Sequence, residues 1–542
     1  MTAGAGPQRP APLSAASSRT HSQAHPQAQR RSPSQQEPKP QPLLLECVVA
    51  AAIGALQTLA FVHTAAWPLQ LLAVAWLAWR VARRRPRGAG LIGLAFGTAW
   101  LGAGTWWLYI SLHRYGGLAA WLAVLAVALL CSLLSLYLAF AMAAFARWRR
   151  SRAAPDALLF GALWLLAELA RGVIFTGFPW VASGYAQVDS PLAGYAPWVG
   201  VYGIGFITAA LAAWVALRRP ATLRAWLVPG TGIAVVLLAG ELAGAIGHTV
   251  PSGRLSVTLL QGNVPQDEKF AAEHLAETMA WTTAHLLAAR GDLVVAPETV
   301  IPLLPEQLDP QDWQPLLRPF QQGRQAAILG LPLGNERVGY TNSAAGISAA
   351  TIDLPGGYYR YDKHHLVPFG EFIPFGFHWF TRLMNIPLGD FNRGARDQPS
   401  FAVRGERVAP NICYEDLFGE ELAARFVDAR SAPTIFANLS NIAWFGQTSA
   451  VEQHLQISRM RTLEFERPML RATNTGATVV IDHRGRVTAS IAPYTQGVVD
   501  GVVEGRRGLT PYARWAGPFG LWPAWLLGAA LVLNAVRRGA RP

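Results

Sequence analysis

The chain has 542 residues, of which 51% are hydrophobic and only 15% charged, and its formal net charge is +13. A soluble protein of this size carries about a quarter charged residues, and here the arginines sit in short clusters between long apolar runs. That distribution argues against a nucleic-acid binder and for a membrane protein.

Residues 1–41 are rich in Pro, Gln, Ser and Ala, without apolar periodicity, and are expected to form a disordered tail. They lack the apolar core of a signal peptide, so the first apolar run is expected to act as the insertion signal. Apolar runs of membrane-spanning length follow at about 43–62, 66–82, 90–112, 117–146, 157–175, 194–217 and 225–247, with one more at about 517–536. The second is short and the fourth long enough to tilt. About eight transmembrane helices are therefore expected, seven within 42–248 and the last within 516–542.

Arginine placement sets the orientation. Alternate connections carry Arg83–Arg85 with Arg87, then Arg147, Arg149, Arg150 and Arg152, then Arg218, Arg219 and Arg224, and the C-terminal tail adds Arg537, Arg538 and Arg541. By the positive-inside rule both termini are cytoplasmic. An odd number of preceding spans places the polar insert, residues 249–515, on the extracytoplasmic side.

The insert reads as an α/β domain. Apolar, strand-like runs at 254–263, 292–299, 325–334, 407–416 and 432–440 alternate with helical stretches at about 271–290, 416–428 and 450–466. Several runs end directly in polar residues, as reactive groups do in α/β enzymes.

Of the three cysteines, Cys47 and Cys131 lie in apolar runs and only Cys413 falls in a polar region; three cannot make a disulfide framework. Cys413 ends the run "VAPNIC" and precedes "YED". An isolated cysteine there is ordinarily a buried strand residue, but a lone extracytoplasmic thiol is unusual. As a nucleophile it needs a base or a positive charge. His364, His365 and His378 lie in the insert, so a Cys–His pair is one possibility. Glu298, following Pro297 at the end of an apolar strand, is another: partly desolvated, it could serve as general base.

Lys363 is the third candidate. The chain holds only three lysines, Lys39, Lys269 and Lys363, against 43 arginines. An ammonium about 4 Å from a thiolate at an effective dielectric of about 20 gains roughly 4 kcal/mol, or about three pKa units. Lys363 is therefore expected to bring the thiol near the working pH and to stabilise an oxyanion. A guanidinium matches a single sulfur or oxygen less well than a compact ammonium does.

Glu, Lys and Cys in this order, each at a strand end, resemble the triad of the carbon–nitrogen hydrolase (nitrilase) superfamily, and within it the apolipoprotein N-acyltransferase family. The resemblance covers roughly 43–540 and rests on an ordered set of motifs. They are "ELARGVIFTGFPW" (168–180), "QGNVPQ" (261–266), "PETVIP" (297–302), "YDKHHLVPFGEFIP" (361–374), "ICYED" (412–416), "NIAWFG" (441–446), "RMRTLEFERPMLRATNTG" (459–476) and "GLTPYAR" (508–514).

The resemblance implies a nitrilase-like αββα sandwich carried by the multi-span helical bundle, in a bacterial cytoplasmic (inner) membrane. It implies that Cys413 takes an acyl chain from a phospholipid as a thioester and passes it to the N-terminal amine of a diacylglyceryl apolipoprotein. Glu298 would be the base, and Lys363 with the Tyr414 N–H would hold the oxyanion. Glu371, Tyr414 and Glu415 match supporting positions.

The chain departs from the family pattern at Ala296 and Phe270, where Trp is usual, and at Ile442, where an acid is common. These differences bear on the acyl pocket rather than the reaction class. Phe270, Trp379, Trp444 and Phe445 are candidates for facing lipid, the stretch 375–391 being suited to an interfacial arm. No metal, cofactor or nucleic acid is expected, and a monomer is. Two alternatives stand beside this reading. One is a membrane-anchored amidase of the same superfamily that gives its acyl group to water; the other is a non-catalytic transporter or receptor, for which Glu168 and Arg171 are the prominent intramembrane pair.

Overall fold

A computed structural model of the chain describes residues 1, 42–218, 222, 227–376 and 390–539. The expected tail therefore lies almost wholly outside the described residues, as does Trp379.

Apolar sequence becomes helix from residue 43 onward. Among the described residues, five helical segments are long and apolar enough to cross a bilayer: Leu43–Val62, Ala120–Trp148, Ala153–Thr176, Pro191–Leu217 and Leu227–Ala245. Two bent pairs raise the number to as many as seven, Pro86–Thr105 with Leu108–Tyr115 at 63° and Pro511–Phe519 with Trp522–Arg538 at 93°. Of the eight expected runs, the second becomes a helix of 15 residues, Trp67–Val81. At 1.5 Å per residue that is about 22 Å, short of a hydrocarbon core of about 30 Å.

Small residues let these helices approach closely. A Cβ on Gly54 would lie 2.2 Å from the Phe96 carbonyl oxygen, so this crossing requires glycine, as membrane helix interfaces commonly do.

Between Gly177 and Asp189 the chain leaves the α-helix, passing through a 3₁₀ helix at Ser183–Gln187, yet remains inside the bundle, with Trp180, Val181, Ala182, Ser183, Tyr185, Ala186 and Gln187 all buried. Backbone outside an α-helix in such a place needs partners from side chains. Glu168 accepts from Ser183 N and Oγ, both at 2.7 Å. Gln70 donates to the Ser183 carbonyl at 3.0 Å, and Arg171 to the Phe178 carbonyl at 2.8 Å. Glu168 and Arg171 also pair at 3.4 Å. The two charges that a transporter would use to carry cargo are here committed to holding a buried loop.

The described residues of the insert form twelve strands: β1 (Thr249–Gln261), β2 (Leu293–Val295), β3 (Ala326–Asn335), β4 (Gly339–Ile347), β5 (Tyr359–Asp362), β6 (Phe401–Val403), β7 (Glu406–Ile412), β8 (Ile435–Ser440), β9 (Met469–Thr473), β10 (Val479–Ile481), β11 (Val487–Ser490) and β12 (Gly497–Gly508). They build two six-stranded sheets, ordered β12-β1-β2-β3-β4-β5 and β11-β10-β9-β8-β7-β6. The strands β1, β2 and β3 run parallel in the first, and β7, β8 and β9 in the second; the outer pairings are antiparallel.

Alternation along the strands assigns the faces. Leu255, Val257 and Leu259 of β1 meet Ile435, Ala437 and Leu439 of β8 in the core between the sheets. The far face of the first sheet packs Val294, Ala327 and Leu329 against Leu286, Leu316, Leu317 and Phe320, which come from helices Ala272–Ala288 and Pro310–Gln322. The expected helix at 416–428 is shorter and broken, Gly419–Ala423 between two 3₁₀ turns at Cys413–Leu417 and Ala424–Phe426.

The far face of the second sheet has a different partner. Phe436 and Met469 share one buried cluster with Ile457, Met460 and Phe465 of helix Ala450–Phe465, and with Trp107, Trp180 and Tyr202 of the helical bundle. That helix is the layer joining the two parts. Its Gln453 Oε1 accepts from the indole N–H groups of Trp107 at 3.1 Å and Trp180 at 2.8 Å. Its Glu464 accepts from Val201 N at 2.7 Å, capping the bundle helix just past the break at Gly200, whose φ is +65°.

Gln453→Leu keeps the volume but strands the buried indole N–H of Trp180 at about 1–3 kcal/mol, while that of Trp107 keeps its bond to the Gly104 carbonyl at 3.1 Å. The variant is expected to melt a few degrees below wild type in a thermal unfolding scan of the detergent-purified chain, while Trp180→Phe combined with it recovers part of the loss.

Candidate active site

The ends of the strands bring the expected residues together. Glu298 lies three residues beyond β2, Lys363 directly follows β5 and Cys413 directly follows β7, with Asn441 directly after β8. Lys363 Nζ is 3.4 Å from Glu298 Oε1 and 2.9 Å from Glu371 Oε1. Asn342 on β4 bridges the same two carboxylates, its Nδ2 donating at 2.8 Å to Glu298 and 2.7 Å to Glu371. The other Glu298 oxygen accepts from Asn441 N at 2.9 Å, and the other Glu371 oxygen from Val367 N at 2.8 Å. Lys363 is 1% exposed, so both carboxylates meet its charge with almost no water between them.

Cys413 occupies a strained turn. Its φ of +52° is a left-handed conformation uncommon outside glycine, asparagine and aspartate. The surroundings hold it there. Its carbonyl oxygen lies 3.2 Å from both Asn438 Nδ2 and His454 Nε2. Arg471 Nη2 lies 2.8 Å from His454 Nδ1. A guanidinium only donates, so Nδ1 accepts and the proton sits on Nε2, which reaches Asp416 Oδ1 at 2.9 Å. Burial and Arg471 push the imidazole pKa below its ordinary value despite Asp416, so the ring is neutral. The strands supply this spine because Asn438 and Arg471 alternate with the inward-facing Ala437, Leu439, Leu470 and Ala472.

The electrostatics depart from the sequence expectation. Burial and the Glu298 carboxylate push the Cys413 thiol up to about 12, and Lys363 only partly opposes them. Burial alone would depress Lys363, but Glu371 and Glu298 hold its pKa well above the ordinary lysine range. The lysine's charge is already matched by two carboxylates, so it does not bring the resting thiol near neutral pH. The site stores a thiol beside a carboxylate rather than a ready thiolate.

Glu415 and Tyr414 brace the turn. Glu415 accepts from Ile412 N at 2.6 Å, His364 N at 2.6 Å, His365 N at 3.2 Å and Tyr361 Oη at 2.9 Å. It thus clamps the lysine loop to the cysteine turn, although burial raises its pKa. Tyr414 donates to the Gly177 carbonyl at 3.1 Å, tying the residue after the cysteine to the buried loop of the bundle.

The lipid-facing candidates divide. Phe270 is 50% exposed. Trp444 is half-buried, with its ring 5.6 Å from that of Tyr115. Phe445 packs 4.2 Å from Trp107 and 6.3 Å from Trp180, making it part of the junction with the bundle rather than a free arm.

The sequence argument missed Asn342, His454 and Lys269. Lys269 is 6% exposed and its Nζ donates to the Glu298 carbonyl oxygen at 3.0 Å. The signal was available: the rarity of lysine that singled out Lys363 applies equally here. Among the described residues, no group of three or more His, Cys, Asp or Glu side chains is placed to hold a metal ion.

Glu415→Gln places an amide N–H₂ against donors that require an acceptor, at about 1–3 kcal/mol for each unsatisfied group. Its melting temperature is expected to fall by several degrees, and activity with it. An unchanged melting temperature would remove Glu415 from the clamp.

Comparisons with known proteins follow the same division of the chain. Residues 53–214 match the family "Apolipoprotein N-acyltransferase N-terminal domain", and residues 256–508 match "Carbon-nitrogen hydrolase". The apolipoprotein N-acyltransferase of Verminephrobacter eiseniae (strain EF01-2) is 54% identical over 478 residues, covering 84% of this chain and 89% of its own. That of Ralstonia nicotianae (strain ATCC BAA-1114 / GMI1000) is 47% identical over 499 residues, covering 91% and 93%. A solved carbon–nitrogen hydrolase from Helicobacter pylori G27 is 15% identical, with a TM-score of 0.34, over 50% of this chain and 94% of its own. With relatives this similar along nearly their whole length, the chain belongs to the apolipoprotein N-acyltransferase family, and its insert is a carbon–nitrogen hydrolase domain.

Proposed function

We propose that this enzyme moves an acyl chain from a membrane phospholipid to the N-terminal amine of a diacylglyceryl-cysteine polypeptide, through a thioester on Cys413. One observation carries the reading. The buried Glu298–Lys363–Glu371 constellation lies beside a strained cysteine turn, and that turn is bonded through Tyr414 to a loop inside an apolar helical bundle. An amide hydrolase acting on small soluble substrates has no need of that bond.

The chemistry follows from the protonation states. Glu298 takes the Cys413 proton as the sulfur attacks the sn-1 ester carbon, so no free thiolate has to accumulate. Lys363 and the Tyr414 N–H stabilise the oxyanion, and Glu298 returns the proton to the departing lysophospholipid alkoxide. In the second half the α-amino group attacks the thioester carbon and gives its proton to Glu298, which then reprotonates the sulfur. Glu371 and Asn342 hold Lys363 and Glu298 in register throughout. Exclusion of water separates this reaction from hydrolysis, and burial of the constellation favours transfer over the amidase alternative.

On this reading the enzyme acts as a monomer in a bacterial inner membrane. Counting Trp67–Val81 as a short span gives eight, with domain limits near 248/249 and 515/516. The arginine clusters then support cytoplasmic termini and an extracytoplasmic catalytic domain.

Incubating the purified chain with phospholipid but no acceptor is expected to add one acyl chain to Cys413, seen by intact mass and removed by hydroxylamine. Cys413→Ser gains none, and Lys363→Arg slows the step by about 100-fold or more despite keeping its charge. Fatty acid released to water with no transfer to a diacylated lipopeptide would sink the acyltransferase in favour of the hydrolase.

The raised thiol pKa gives a second expectation. The acid form dominates below about 12, so alkylation of Cys413 by iodoacetamide is expected to be slow at pH 7 and to climb with pH without levelling near neutrality. A plateau between pH 7 and 8 would mean that Lys363 does create a resting thiolate.

A further inference from the structure

We propose that Lys269 is a positioning residue for the first proton transfer, its ammonium holding the Glu298 turn in place and supplying the second positive charge of the buried site. This rests on the reading of Glu298 as proton acceptor for Cys413.

The turn that presents Glu298 is under strain. Thr299, a β-branched residue, has a φ of +50°. The turn packs so tightly on β3 that a Cβ at Gly330 would lie 2.4 Å from the Pro297 carbonyl and 2.6 Å from Glu298 Cα. A strained backbone persists only where its surroundings over-determine it. Lys269 Nζ, at 3.0 Å, meets the carbonyl of the residue that carries the base.

The lysine is itself fixed from behind. Its own N–H donates to the Pro265 carbonyl at 3.0 Å. Gln266 Oε1 accepts from Asn441 Nδ2 at 2.8 Å, and Asn441 N donates to the Glu298 carboxylate at 2.9 Å. Val264 is held on both sides by Asn474, whose Oδ1 accepts from Val264 N at 3.0 Å and whose Nδ2 donates to the Val264 carbonyl at 2.7 Å. Segment 264–269 therefore grips Glu298 from its backbone through Lys269 and from its carboxylate through Asn441.

Charge supplies the second half of the argument. Glu298 and Glu371 carry two negative charges and Lys363 one positive, so that trio is net negative in a site almost without water. A protonated Lys269 brings the sum to zero, and proton transfer from Cys413 to Glu298 leaves the sum unchanged. Without it, the thiolate forms against an uncompensated carboxylate. A structural lysine on the surface would do none of this; this one is 6% exposed, and among the described residues its Nζ hydrogen-bonds only the Glu298 carbonyl.

The ammonium is also titratable within reach of experiment. Burial lowers its pKa to about 8, against the opposing pull of Glu298 and Cys413, the titratable groups that face it. The charge is present below that pH and lost above it.

The test uses the full-length chain in phosphatidylethanolamine mixed micelles without acceptor, following acylation of Cys413 by intact mass in single turnovers from pH 6 to pH 10. Wild type is expected to slow above pH about 8. Lys269→Met should acylate about 100-fold more slowly at pH 7, with half-saturating phospholipid within about twofold of wild type. Lys269→Arg, charged throughout the range, should recover part of the rate and lose the alkaline fall. Met acylating within about threefold of wild type, or an alkaline fall unchanged in Arg, overturns the proposal. Should Lys269→Met not fold, the wild-type profile decides alone, because a rate that does not fall up to pH 10 is incompatible with it. Wild type that acquires no acyl group overturns the acyl-transfer reading, whereas normal wild-type acylation with an unaffected Lys269→Met overturns only the role of Lys269.

Discussion

One ammonium held between two carboxylates governs the arrangement around it. Lys363 has almost no contact with water, so its charge has to be met by protein, and Glu298 and Glu371 meet it at 3.4 and 2.9 Å. Three strand ends and the loop carrying Glu371 must then converge on one point, with Asn342 filling the space between the two acids. The constraint also sets the chemistry. A neutralised lysine cannot hold a resting thiolate, so in the proposed reaction proton removal and carbon–sulfur bond formation are a single event in which Glu298 takes part.

The cysteine turn is the second consequence. Its left-handed backbone needs support, and the support comes from the outer face of the second sheet, where Asn438, Arg471 and His454 form a dry polar spine around Asp416. The helix Ala450–Phe465 covers that face and is in turn clasped by the bundle through Gln453 and Glu464. Cys413 is thus held by residues whose own positions depend on the apolar helices, and Tyr414 adds a direct bond to the buried loop at Gly177. A catalytic domain joined so closely to a bundle suits a substrate that arrives through the bilayer.

Much of the site was legible beforehand because its signals are local in sequence. A strand that stops at a polar residue announces where a side chain emerges, and this singled out Glu298 and Cys413 without coordinates, while the rarity of lysine singled out Lys363. Glu371 and Glu415 were also marked, but their different tasks were not. One touches the lysine, whereas the other clamps backbone N–H groups from two loops, and only distances distinguish them. Lys269 escaped notice because it sits in a polar stretch beside Asp267 and Glu268, where burial cannot be read from neighbours. Phe445 looked like a lipid contact for the converse reason: an aromatic residue beside glycine reads the same whether it faces lipid or a partner domain.

Composition, arginine placement and apolar periodicity were enough to establish a helical membrane protein carrying an α/β domain, and the order of motifs was enough to point to its family. These properties are carried by short windows of chain, since helix, strand and turn preferences are decided within a few residues. The protonation state of the thiol, the neutral His454, the commitment of Glu168 and Arg171 to a buried loop, and the approach of Lys269 to Glu298 were decided only by the tertiary structure. Each depends on which charges and dipoles from distant segments share a space without water. Electrostatic interactions there are strong enough to reverse an expectation drawn from any one pair.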